Sequence, residues 1–98
     1  MDEDFSEADL AQASELAEHL TGEELITLEP AHERLYFFVG SARLHRSKLM
    51  SWWRRGWIEI LTETLESVPS ATLGRSRRRV WELTHHGQRA VKRAGGQD

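Results

Sequence analysis

Two short stretches concentrate the side chains of this 98-residue chain that could do chemistry. Residues 43–54 carry Arg43, Arg46, Ser47, Lys48, Met50 and Arg54, and residues 75–78 carry Arg75, Arg77 and Arg78. A guanidinium is a flat fork of N–H donors that matches paired acceptors on a phosphate or a guanine edge. Arginines gathered in this way point to recognition of a polyanion rather than to bond making. Other chemistry is poorly provided for. The histidines at 19, 32, 45, 85 and 86 have no metal-ligand spacing, and no HExxH pattern occurs. Cysteine is absent, which removes disulfides and thiolate metal sites. There is no Gly-rich phosphate loop, and no pair of acidic residues falls in a recognisable catalytic pattern. The chain is expected to be non-enzymatic, with no cofactor and no metal.

The formal net charge of −3 argues at first sight against a nucleic-acid partner, but its distribution reverses that. Residues 1–30 hold ten Asp/Glu and no Lys or Arg, for −10; residues 31–98 hold thirteen Lys/Arg against six Asp/Glu, for +7. Such asymmetry is a hint of nucleic-acid contact through one half of a chain. Eleven of the thirteen cations are Arg, which suits contacts with phosphate and guanine, although a GC-rich genome gives the same bias. No apolar run approaches the ~20 residues that span a bilayer. The acidic N-terminus lacks an apolar signal core, so a cytoplasmic location without membrane contact is expected.

The elements that must position these residues follow from periodicity and breakers. Residues 1–5 read as a flexible acidic N-terminus, and residues 6–95 as a single domain. Ser6 is an N-cap for a helix over about 6–20, with Leu10, Ala13, Leu16, Ala17 and Leu20 at helical spacing. Leu25–Leu28 is a short β-favouring run. Pro30 suits the first position of a second helix, over 30–39, although Tyr36–Val39 is itself β-prone. Residues 41–43 form a turn, and a third helix runs from 44 to 55, stopped by Gly56. On it His45, Leu49, Trp52 and Trp53 fall on one side, and Arg46, Ser47, Met50 and Arg54 on the other. A strand over 57–64, a loop over 65–76 and a strand over 77–83 make a hairpin with a long tip. Thr84 then caps a last helix, about 84–95. Trp52, Trp57 and Trp81 are expected in the core, with Trp53 left for a partner surface. Arg79 shares a face with Trp81 and Leu83 and is expected over an aromatic ring.

Two segments carry a family resemblance. Residues 74–95, GRSRRRVWELTHHGQRAVKRAG, resemble the wing and following helix of MarR- and PadR-type regulators, through Arg77–Arg79, Val80, Trp81, Leu83-Thr84 and Gly87. Residues 47–59, SKLMSWWRRGWIE, are similar to the end of their recognition helix, through Leu49, Trp52, Gly56, Trp57 and Ile58. The resemblance covers about residues 30–95. It departs in three respects: a turn one residue longer before the recognition helix, His at position 45 in place of an aliphatic, and no long dimerisation helices.

The resemblance implies an α+β winged helix-turn-helix with a three-stranded sheet. Helix 44–55 would read the major groove of double-stranded DNA, with Arg46 on guanine and Ser47, Lys48, Met50 and Arg54 near base edges or phosphates. Arg75, Arg77 and Arg78 would place the wing on the backbone or in the minor groove. The expected function is a small transcriptional regulator, a repressor acting as a homodimer. The alternative is a protein-interaction module that touches a partner through Trp53 or the acidic first helix.

Overall fold

Ser6 opens the first helix by a reciprocal pair of hydrogen bonds. Its Oγ accepts the Asp9 N–H at 3.1 Å, and the Asp9 carboxylate accepts the Ser6 N–H at 3.2 Å. This closed capping box satisfies two otherwise unpaired donors and starts α1 (Glu7–His19). A computed structural model describes residues 5–30, 35–67 and 75–96, with Pro30, Glu66, Ser67 and Arg75 described in their backbone alone. After α1 come β1 (Glu24–Pro30), β2 (Tyr36–Val39), β3 (Ala42–His45), α2 (Arg46–Arg54), β4 (Ile58–Ser67), β5 (Arg75–Leu83) and α3 (His85–Ala94). The fold is α+β: among the described residues there are three helices and one five-stranded antiparallel sheet in the order β3-β2-β1-β5-β4.

The sheet has five strands, not the three expected from the sequence, because residues 36–45 fold differently. The helix expected over 30–39 is not there. Tyr36–Val39 is a strand, and Ala42–His45 returns beside it, with Val39 opposite Ala42 and Tyr36 opposite His45. Residues 31–34, the first turn of that expected helix, lie outside the described residues. The tertiary reason is alternation. Phe37 and Val39 point into the core while Tyr36 and Phe38 point away, a period of two that a helix cannot supply. The turn expected at 41–43 is consequently the start of β3, and Leu44 and His45 belong to that strand rather than to the helix. The two strands of the later hairpin are also longer than expected, reaching Ser67 and beginning at Arg75, so both ends of the expected 65–76 loop, residues 65–67 and 75–76, are sheet. Residues 68–74, the tip, lie outside the described residues.

All three helices contribute to a core on one face of the sheet. There Leu25, Phe37, Val39, Ile58 and Trp81 meet Ala13, Leu16, Leu49, Trp52 and Ala90, together with Trp57. Trp52, Trp57 and Trp81 are buried, as expected of core tryptophans. Each of two indoles still satisfies its donor: Trp52 Nε1–H reaches the Gln12 carbonyl and Trp81 Nε1–H reaches Thr27 Oγ1, both at 3.1 Å. The reverse face presents Ile26, Leu28, Tyr36, Phe38 and Val80. These are half-buried, and none belongs to the core or to the apolar residues packed against it.

The junction between α2 and α3 is held by a compact clasp. Gly56 takes the left-handed conformation that ends α2, φ +74°. Thr84 caps α3 by accepting the Gly87 N–H at 3.0 Å, and its hydroxyl donates to the Gly56 carbonyl. The Thr84 N–H donates to the Trp57 carbonyl at 2.9 Å. Gly87 lies so close that a Cβ added there would sit 2.0 Å from the Trp57 carbonyl oxygen. This accounts for the Leu83-Thr84-x-x-Gly87 pattern in physical terms. Threonine serves two chain segments at once, and only glycine fits against the backbone of Trp57. A Gly→Ala change inside an ordinary helix gains up to about 1 kcal/mol. At Gly87 the sign is expected to reverse, with Gly87→Ala destabilising by about 3 kcal/mol, because main chain must move to admit the methyl. Urea denaturation followed by far-UV circular dichroism measures the difference.

Candidate nucleic-acid interface

Helix α2 is short, and each of its ends has a local cause. His45 is its N-cap, with the ring Nδ1 accepting the Ser47 N–H at 3.1 Å and lying 2.9 Å from Ser47 Oγ. Position 45 is thus both a strand end and a helix cap, which accounts for a histidine there. The Arg46 N–H is also satisfied, by the Leu35 carbonyl at 2.7 Å. Leu49 and Trp52, three apart, supply the buried stripe.

Four cations of α2 and its C-cap divide into two pairs. Lys48 Nζ lies 2.5 Å from Glu15, and Arg55 Nε lies 2.9 Å from Asp9. Both partners are on α1, so the acidic first helix fastens α2 from behind, in concert with the Trp52–Gln12 hydrogen bond. Arg55 also lies over the Trp57 ring, 5.4 Å from its centroid. Arg46 and Arg54 are different. Both are exposed, and neither has an ion-pair partner among the described residues. With Ser47 and Met50 they line a shallow open groove along the outer side of the helix. Ser47, Met50 and Arg54 follow i, i+3, i+7 spacing, which aligns them on one stripe.

The nine residues expected at the site therefore do not act as one group. Arg46, Ser47, Met50 and Arg54 come together. Lys48 turns back to α1. Arg43 lies over the Tyr36 ring at 4.1 Å, on the reverse face of the sheet, which Arg78 shares by strand alternation. Arg77 lies 3.3 Å from Glu63. Arg79, expected over an aromatic ring, is held by Glu63 at 2.9 Å and Glu29 at 3.5 Å. Of Arg75 only the backbone is described, opposite Ser67. The hairpin is thus basic in sequence but internally compensated at Arg77 and Arg79. No local pattern announces this, because the compensation depends on register. Likewise His45 as a cap was legible only once the strand before it was known.

A second cleft, of about 220 Å³, separates α2 from the hairpin. Leu49, Met50, Trp53, Ile60 and Trp81 line it, with Arg46, Arg79 and Glu29 at the rim. It is smaller than the roughly 300 Å³ at which small-molecule sites begin. Among the described residues no group of His, Asp and Glu is arranged to hold a metal ion, and no helix is long and apolar enough to cross a membrane. No family model matches the chain, and no curated protein or solved structure shows significant similarity to it.

Asp9 joins the capping box to the α2 tether. The hydrogen bond from Arg55 holds its carboxyl below the ordinary carboxylate value, helped by the backbone N–H of Ser6. A carboxylate with a lower pKa in the folded state contributes stability in full above its unfolded value, about 4. That contribution is lost as pH falls through the folded value. Asp9→Asn is therefore expected to destabilise the chain at pH 7 and to matter progressively less below about pH 4. Urea titrations of both proteins at neutral and acidic pH check this; a penalty independent of pH would show that charge on Asp9 is not what matters.

Proposed function

We propose that this chain binds double-stranded DNA without catalysis, laying the outer stripe of α2 into the major groove as a winged-helix regulator does. The carrying observation is the division of cations on α2: Lys48 and Arg55 are spent on holding the helix, while Arg46 and Arg54 remain exposed and uncompensated. Nine residues of helix extend about 13 Å, enough to cross a major groove about 12 Å wide. Arg46, at the helix start, is the guanine-reading residue in this arrangement, with Ser47 and Met50 beside it and Arg54 on a phosphate. In winged-helix terms β4 and β5 would be the wing, and the β2–β3 hairpin stands in chain order where the first helix of the helix-turn-helix would be. The role that follows is transcriptional regulation, by occluding an operator.

Fluorescence anisotropy against a pool of genomic duplexes tests the proposal. Arg46→Ala and Arg54→Ala are each expected to weaken binding about tenfold, and Arg46→Ala to relax sequence preference as well. Lys48→Ala should leave the salt dependence of binding unchanged, since Lys48 neutralises Glu15 rather than phosphate. Absence of any duplex bound more tightly than about 1 µM at low salt would end the proposal.

A second reading has its own observation. Trp53, Ile60 and Leu65 are 51%, 46% and 72% exposed, beside a hairpin whose Arg77 and Arg79 are compensated. Such a surface suits a protein partner. Binding that ignores salt and is lost in Trp53→Ala would favour this reading over DNA.

A further inference from the structure

Arg46, Leu49, Met50 and Trp53 follow i, i+3, i+4, i+7 spacing, so they share one side of α2. That side is one wall of the cleft between α2 and the hairpin, and Ile60 of β4 and Trp81 of β5 belong to the other. Arg46 and Met50 also line the shallow groove along the outer side of the helix. Groove and cleft therefore meet at these two residues, and a ligand laid along α2 passes the mouth of the cleft.

The size and polarity of the cleft narrow what it can take. Its 220 Å³ is too little for a drug-sized ligand, yet an apolar cavity of about 150 Å³ holds one benzene ring. Trp53, half-exposed in the wall, offers its indole to such a ring. At the rim Arg79 and Glu29 lie 3.5 Å apart, a donor beside an acceptor. Arg46 is exposed and has no ion-pair partner among the described residues. A wholly apolar occupant leaves Arg46 unanswered and strips water from Arg79 and Glu29 without replacing it. An apolar acid answers Arg46 but brings nothing to the rim. A nucleobase in a strand meets every condition. It has a flat ring for the cleft, donors and acceptors along its edge for the rim, and a polyanionic backbone on either side for Arg46 and for Arg54, about 12 Å further along α2.

We infer that the cleft between α2 and the β4–β5 hairpin receives a single unpaired base of DNA, stacked on Trp53, while Arg46 and Arg54 hold the strand that carries it. The inference rests on the DNA reading above and narrows its target. A base inside a continuous duplex must be unpaired and unstacked before it can enter the cleft, whereas a bulged base has already lost its pair. The preferred ligand is therefore a duplex interrupted by an unpaired base. The duplex on either side supplies the groove for the outer stripe of α2, and the free base fills the cleft next to it.

Anisotropy of the whole chain with two labelled DNAs of one sequence tests this: a continuous duplex, and the same duplex with one extra unpaired thymine. The interrupted duplex is expected to bind about tenfold more tightly. Trp53→Ala should remove that advantage and Trp53→Phe should keep it, since a phenyl ring also stacks. Position 53 is exposed, so both variants should retain the wild-type circular dichroism spectrum. Equal affinity for the two DNAs overturns the inference and leaves duplex recognition standing. An advantage that survives Trp53→Ala overturns it as well, because the preference then follows the bend of the interrupted duplex. So does free thymidine monophosphate that displaces the interrupted duplex at equal concentration, which makes the cleft a mononucleotide site. Absence of any DNA bound more tightly than about 1 µM at low salt overturns this inference and the DNA reading together.

Discussion

The approach of Gly87 to the carbonyl of Trp57 is the constraint on which the remaining geometry depends. It brings together the end of α2, the start of β4, the end of β5 and the start of α3. Thr84 completes the junction by bonding to both Gly56 and Gly87. Buried Trp57 fills the angle between them. With this corner fixed, α2 cannot rotate about its own axis without dislodging α3. The capping box and the ion pairs from α1 then set the other end of α2. Every residue on the outer stripe inherits its position from contacts made on the inner one.

Much of this arrangement was legible in the sequence, for reasons that can be stated residue by residue. Ser6, Thr84 and the glycine that ends α2 are local signals, and local signals survive folding. The tryptophans read as core because a chain this small has few other large apolar side chains to bury. Tyr36–Val39 failed because Pro30 and a following glycine imitate a helix. Only the pairing with Ala42–His45 decides for a strand. Strands β2 and β3 both follow from that one segment, so they were missed together. Among the expected site residues, Arg46, Ser47, Met50 and Arg54 were recoverable from helical spacing. Lys48 and Arg77 were not, because their partners Glu15 and Glu63 come from other elements.

Charge in this chain works mainly within it. The acidic first helix looked like a segment with a separate purpose, yet Asp9 and Glu15 serve as clamps on α2. Exposed ion pairs of this kind contribute only about 0–1 kcal/mol each. Their value here is directional: they decide which cations of α2 face inward, and by exclusion which stay exposed. Summing charges along the sequence cannot distinguish these two classes, whereas the fold separates them.

The irregularity in β4 carries this point further. Ile60 pairs with Trp81 and Thr62 with Val80, so Leu61 is an extra residue without a counterpart on β5. Beyond it the alternation of β4 is inverted, which puts Glu63 rather than Thr62 on the side of Arg77 and Arg79. Were Leu61 instead to pair with Val80 in a regular ladder, Thr62 would face Arg79 and Glu63 would move to the opposite surface. Flattening the bulge at one position would thus take the glutamate away from Arg77 and Arg79 without altering any charged residue. The polarity of this arm is set by register, at the one point where β4 carries a residue that β5 does not match.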